Sequence, residues 1–251
     1  MEGDHKRSLD GIRVARAVGS VVLFTLLILI IFPRTRREPS RKPEPTCAQR
    51  LKQIGNAVRR YAVEYDRYPP QALTSPAGEP LLSWRVLILP FMGEEELYRR
   101  FRLNEPWNSP HNFPLLQDMP PVFRCPLGRN IPPHHTSYLG IAGAHAIFSG
   151  ADDGLENKHL FDPLATTMLA AEFLDSSVPW TKPVDRDASE IGPVGEPGGI
   201  GSPHATGGFA LFCDGKVHLL TREIPEANWR ATLTSDGGEP NTWPIGLRGV
   251  D

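Results

Sequence analysis

A stretch of sixteen residues without a charge, AVGSVVLFTLLILIIF at positions 17–32, constrains this chain more than any other feature. As a helix rising about 1.5 Å per residue it measures roughly 24 Å, and extension back to Ile12 gives about 31 Å, the thickness of a bilayer's hydrocarbon core. The extension takes in Arg13 and Arg16, whose long side chains reach the headgroups. Nothing polar interrupts residues 21–32 to give the exposed face that a core helix has. Pro33 stops the helix, and Arg34, Arg36 and Arg37 mark the far interface. A cleaved signal peptide needs a small-x-small site after the apolar run, and IFPRTRREPS offers none. Cys47 follows PEPT rather than the small apolar box of a lipoprotein. The expected organisation is a short basic head at 1–16, a single transmembrane helix at 17–33, a basic Pro-rich linker at 34–45 that is extended, and a body at 46–251.

The formal net charge of −2 averages two unlike parts. Residues 1–45 carry nine Lys or Arg against five acids, net +4, and the remainder is net −6. A basic head on an acidic body is the pattern of a chain held at a membrane. The stretch at 34–42 suits anionic lipid headgroups, and the balance of the whole argues against nucleic acid as a partner. Four basic residues precede the apolar run and five follow it, so the positive-inside bias does not set the orientation. The short head and large body favour a signal-anchor with the body outside the cytoplasm. Within the body, much of the chain's 26 Pro and 23 Gly restricts regular structure to short pieces.

One longer helix is nevertheless predicted. TCAQ at 46–49 is a capping box, and Cys47, Leu51, Ile54, Val58, Tyr61 and Tyr65 then fall at 4-3-4-3-4 spacing along one stripe. Three heptads are the lower limit for a coiled coil, so a helix laid on a sheet is the expectation. Residues 83–89 and 94–103 read as short helices. Residues 123–126 (FRCP), 136–142 and 168–173 read as strands. The clearest β signal is GFALFC-DG-KVHLLT, two runs joined by Asp214-Gly215. A two-residue turn there pairs Phe212 with Val217 and Ala210 with Leu219, and puts all four on one core face.

The candidates for chemistry are few. His111, His134, His135, His145, His159, His204 and His218 are scattered, without zinc-ligand spacing. No G-x-S-x-G elbow supports a Ser/His/Asp hydrolase. Asp152, Asp153 and Glu156 form a weak calcium candidate in a loop lacking the full D-x-D-x-D-G pattern. Neither a metal nor a cofactor is expected, and the chain is not expected to be an enzyme. Two other readings stay open. One is an extracytoplasmic glycan- or calcium-binding module, using the loops around Trp107 and Trp180; the other is a metal-dependent hydrolase.

Across residues 46–239 the body resembles the proteins of the "domain of unknown function 1559" family, pseudopilin-like chains that end in an H-X9-DG element. His204, nine residues, then Asp214-Gly215 reproduce that spacing. The helix CAQRLKQIGNAVRRYAVEYDRYPP, the block LSWRVLILPFMGEEELYRRFRLNEPWNSPHN, and FRCP, TSYLGIAG, PWTKPVD and TSDGGEP match further blocks in order. The resemblance implies an α+β body, with a pilin-like N-terminal helix packed on an antiparallel sheet, anchored in the membrane and facing outward. It also implies partners among pseudopilin-like or secretion proteins, and no reaction. Prepilin-type members are cut after a Gly that precedes a Phe-Thr-Leu-Ile-Glu-like start. Here Gly19-Ser20-Val21-Val22-Leu23-Phe24 puts Phe24 where the Glu belongs, so an uncleaved anchor is expected. Cys47 and Cys125 lie within the family blocks, whereas Cys213 stands where a small residue is usual. The resemblance therefore implies a Cys47–Cys125 disulfide and a free thiol at Cys213.

Overall fold

In the computed structural model the first element after the linker is helix α1, Cys47–Tyr65, and both halves of its capping box are formed. The Thr46 hydroxyl accepts from the Gln49 amide at 3.3 Å, and the Gln49 side chain accepts from the Thr46 amide at 2.8 Å. The structure describes residues 46–128, 131–150, 153–173, 175–202 and 207–238, and the backbone of 248–249. The expected head, anchor and linker of residues 1–45 lie outside these, as do Asp152 and His204. Among the described residues no helix is long and apolar enough to cross a membrane.

The architecture is mixed α+β. Strands β1 (Ala72–Thr74) and β2 (Pro80–Ser83) form a small antiparallel ribbon. It leads into short helices α2 (Trp84–Leu87) and α3 (Glu95–Arg100), with a 3-10 turn at Leu89–Met92 between them. The main sheet holds β3 (Tyr138–Ala142), β4 (Met168–Glu172), β5 (Arg186–Asp187), β6 (Gly207–Phe212), β7 (Val217–Thr221) and β8 (Arg248–Gly249). Its order is β5-β3-β4-β6-β7-β8, antiparallel throughout except for the parallel β3–β5 pair. Helix α4 (Glu226–Arg230) follows β7. The segment FRCP is not a strand: a 3-10 turn at Pro121–Phe123 delivers Cys125 into a turn. Pro121 has no amide hydrogen to give to a ladder, which favours that turn over a central strand.

Both faces of the sheet are buried. On one, Leu51, Ile54 and Val58 of α1 pack over Ala170, Leu211 and Val217. Gly55 permits the close approach, because a Cβ there would stand 2.6 Å from Leu211 Cδ1. On the other face, Leu139, Ala171, Ala210, Phe212 and Leu220 meet Ile224, Trp229 and Leu233.

The hairpin register differs from the expected one by a single residue. Leu211 pairs with Val217 and Ala210 with His218, so Phe212 and Val217 lie on opposite faces rather than together. Phe212 instead meets His218 edge-on, ring centroids 5.2 Å apart. The connection is three residues long: the Gly215 amide donates to the Phe212 carbonyl, and the Phe212 amide donates to the Lys216 carbonyl. Gly215, at φ 83°, takes the left-handed position that a turn with a bulged glycine requires.

Asp185 ties α2 to β3. Its carboxylate accepts from the Arg85 guanidinium, from Trp84 Nε1 at 3.1 Å and from the Gly140 amide at 2.7 Å. Arg85 also donates to the Tyr138 carbonyl at 3.0 Å and to Ser83 Oγ at 2.7 Å. Both charged side chains are fully buried. Burial pulls the Arg85 pKa down, and the Asp185 charge opposes that pull.

The start of β6 is crowded by backbone. A Cβ on Gly208 would lie 2.5 Å from the Gly201 nitrogen and 2.8 Å from its Cα. Gly208→Ala therefore lifts the 201–202 segment off the sheet and breaks the Ser202 amide to Gly207 carbonyl bond. We expect a loss of about 1–3 kcal/mol in urea unfolding, the usual range for overpacking where backbone cannot yield.

Candidate functional site: a buried carboxyl against a disulfide

Cys47, the first residue of α1, and Cys125, in the turn after Pro121–Phe123, are joined in a disulfide with a Cα separation of 5.2 Å. Hydrogen bonds hold both sides of the bond, two sets at Cys125 and one at Cys47. The Cys125 amide donates to Ser137 Oγ at 2.7 Å. Arg50, one turn along α1 and buried, donates to the carbonyls of Pro121 and Arg124. The Tyr138 hydroxyl donates to the Cys47 carbonyl at 3.4 Å.

Glu172 is the unexpected member. It closes β4 directly opposite Tyr138, which puts its side chain on the α1 face of the sheet. A carboxylate oxygen and the two sulfurs all lie within 4.8 Å of one another. The residue is 1% exposed, and neither carboxylate oxygen has a hydrogen-bond partner of normal geometry among the described residues. Burial pushes its pKa up to about 8, against weaker lowering by the Ser202 hydroxyl and the Phe209 backbone. Burial and the Glu172 charge likewise raise the Tyr138 hydroxyl.

The raised carboxyl has a measurable consequence. Between the ordinary value of 4.5 and about 8, the folded chain holds a proton that the unfolded chain has released. Stability therefore falls as pH rises through that window, by on the order of 3 kcal/mol at pH 7. Glu172→Gln removes the titration. Urea unfolding of the oxidised protein should show the variant more stable than wild type at pH 7–8, and the difference closing towards pH 4.5. An offset independent of pH would contradict this.

The other expected site residues are separate from this cluster. Asp214 and Gly215 build the β6–β7 turn: Asp214 accepts from the Lys216 amide at 2.9 Å and pairs with Lys216 Nζ at 3.0 Å. A Cβ on Gly215 would come within 2.9 Å of Arg59 Cδ, so the turn also packs against α1. Asp153 faces Arg67 at 3.7 Å, while Glu156 pairs with Lys158 at 2.6 Å and with Arg67 at 3.7 Å. In this arrangement Asp153 and Glu156 face cations, and Asp152 lies outside the described residues. Trp180 is fully buried and donates to the Leu116 carbonyl, which removes it from a glycan-binding surface; Trp107 is half-buried. Cys213 is buried and outside the disulfide, and burial drives its thiol pKa up, away from nucleophilic thiolate character.

The geometry defines an α+β body whose leading helix is cross-linked to a loop beside the sheet. A model of the family described as "Protein of unknown function (DUF1559)" matches residues 36–168, more than half of the chain, and the chain belongs to that family. Both disulfide cysteines fall within the matched region, while Glu172 and the Asp214-Gly215 turn lie beyond its end. No curated protein matches the chain, and no solved structure does.

Sequence reasoning passed over Glu172. The signal it carried is a single acid in an otherwise small and apolar strand, MLAAE. An acid in that setting is either at a strand end in water or buried with a purpose.

Proposed function

We propose that this chain is a membrane-anchored, pseudopilin-like structural or secretion-associated protein of the cell envelope, acting by assembly rather than catalysis. The observation that carries this reading is the disulfide at the first turn of α1. Such bonds persist in oxidising compartments, which favours a body outside the cytoplasm. The 16-residue apolar run then serves as the uncleaved anchor, and the Pro-rich linker as a spacer between bilayer and body. The packing of α1 on a largely antiparallel sheet is the build expected of a pilin-like subunit. Cross-linking in intact cells, followed by capture from solubilised membranes, tests the reading. It predicts co-purification of pseudopilin-like or secretin-like partners with an intact N-terminus. Recovery without such partners, or with a mature N-terminus at Ser20, contradicts it.

A further inference from the structure

We propose that, when the Cys47–Cys125 bond is reduced, the two sulfurs and the Glu172 carboxylate form a buried site for a thiophilic divalent cation, zinc above all. Three ligand atoms already converge within 4.8 Å, drawn from α1, the Cys125 turn and β4. This is the group of His, Cys, Asp and Glu side chains among the described residues that converges in this way. The orphaned carboxyl is the second, independent observation. A buried acid held by no hydrogen bond of good geometry costs stability, and a cation is a partner that its oxygens and the adjacent sulfurs, once reduced, can share. Two thiolates and one carboxylate match zinc in softness and leave one tetrahedral position for water.

The chemistry balances. A phosphine reductant supplies two electrons to the S–S bond and becomes its oxide by taking oxygen from water, whose two protons go to the sulfurs. Zinc then displaces both thiol protons and the carboxyl proton, releasing three protons and leaving a centre of net charge −1. Arg50, hydrogen-bonded to the carbonyls of Pro121 and Arg124, places a fixed positive charge in the segment that carries Cys125. Disulfide and metal use the same sulfurs, so oxidation expels the ion.

The test is an anaerobic cobalt titration of the reduced full chain in detergent, followed by zinc displacement. The expected result is one equivalent of cobalt, with a thiolate charge-transfer band and visible bands of tetrahedral intensity. The oxidised chain and Cys47→Ser should lack these bands, and Cys213→Ser should keep them. Glu172→Gln should weaken binding by roughly 10–100-fold or more, at least what loss of an outer-shell partner produces elsewhere. Where reduction loosens the fold, zinc should raise the melting temperature of the reduced chain and a chelator should reverse the rise. No band and no zinc-dependent rise in the reduced wild type would overturn the proposal. Equal binding by Glu172→Gln, or bands that vanish only with Cys213→Ser, would overturn it too.

Discussion

Replacing Asp185 with Ala should destabilise the body by about 3–5 kcal/mol, the range for a buried ion pair robbed of one partner. The variant leaves the Arg85 guanidinium fully buried with no counter-charge, and strips acceptors from Trp84 Nε1 and the Gly140 amide. For a body of this size the loss lowers the melting temperature by on the order of 10 °C. The double variant Asp185→Ala, Arg85→Met should recover much of it, since the cost lies in the stranded charge rather than in the lost attraction. Thermal unfolding of the single and double variants decides. A double variant no better than the single would show that the cost comes from the lost Trp84 and Gly140 bonds instead.

Breaking the Cys47–Cys125 bond is the second large effect. The bond closes a loop with a sequence separation of 78. Chain-entropy reasoning gives such a loop about 4–5 kcal/mol of stabilisation, through restriction of the unfolded chain. Cys47→Ser and Cys125→Ser should each show this loss in urea unfolding, and addition of a reductant should leave both unchanged while lowering wild type to their level. A reductant effect on the variants themselves would point to other redox chemistry, at Cys213 or in the unfolded chain.

Helix α1 was legible because its signals are local. The capping box and the 4-3-4-3-4 spacing both lie within the segment from Thr46 to Tyr65, and the helix occupies all of it after the cap. Cys47, Leu51, Ile54 and Val58 of the expected stripe are buried, but the buried face is wider than that stripe and stops short of its end. Ala48, Gly55, Ala57 and Ala62 are buried, while Tyr65 is 53% exposed, because small residues allow α1 to sit close on β6. The hairpin was legible as a hairpin and misjudged by one residue in register. Alternation fixes register only where one face is wet, and both faces of β6 and β7 meet apolar layers. Asp-Gly is compatible with either the two-residue turn or the bulged one, so the turn residues did not decide.

The site was less legible than the fold. The cysteine pair was accessible only through resemblance to a family, since three cysteines allow three pairings. Glu172 and Asp185 acquire meaning from residues distant in sequence. Asp185 lies 100 positions from Arg85, and Glu172 is separated from Cys47 by most of the body. No spacing rule connects residues that meet only through sheet topology.

The proposed function places an exported body on a membrane anchor. Protease added to spheroplasts expressing the full chain tests it most directly. The account predicts that the chain sediments with membranes and that the body is digested from outside, leaving a short protected N-terminal fragment. A chain that remains intact until the spheroplasts are lysed would contradict it.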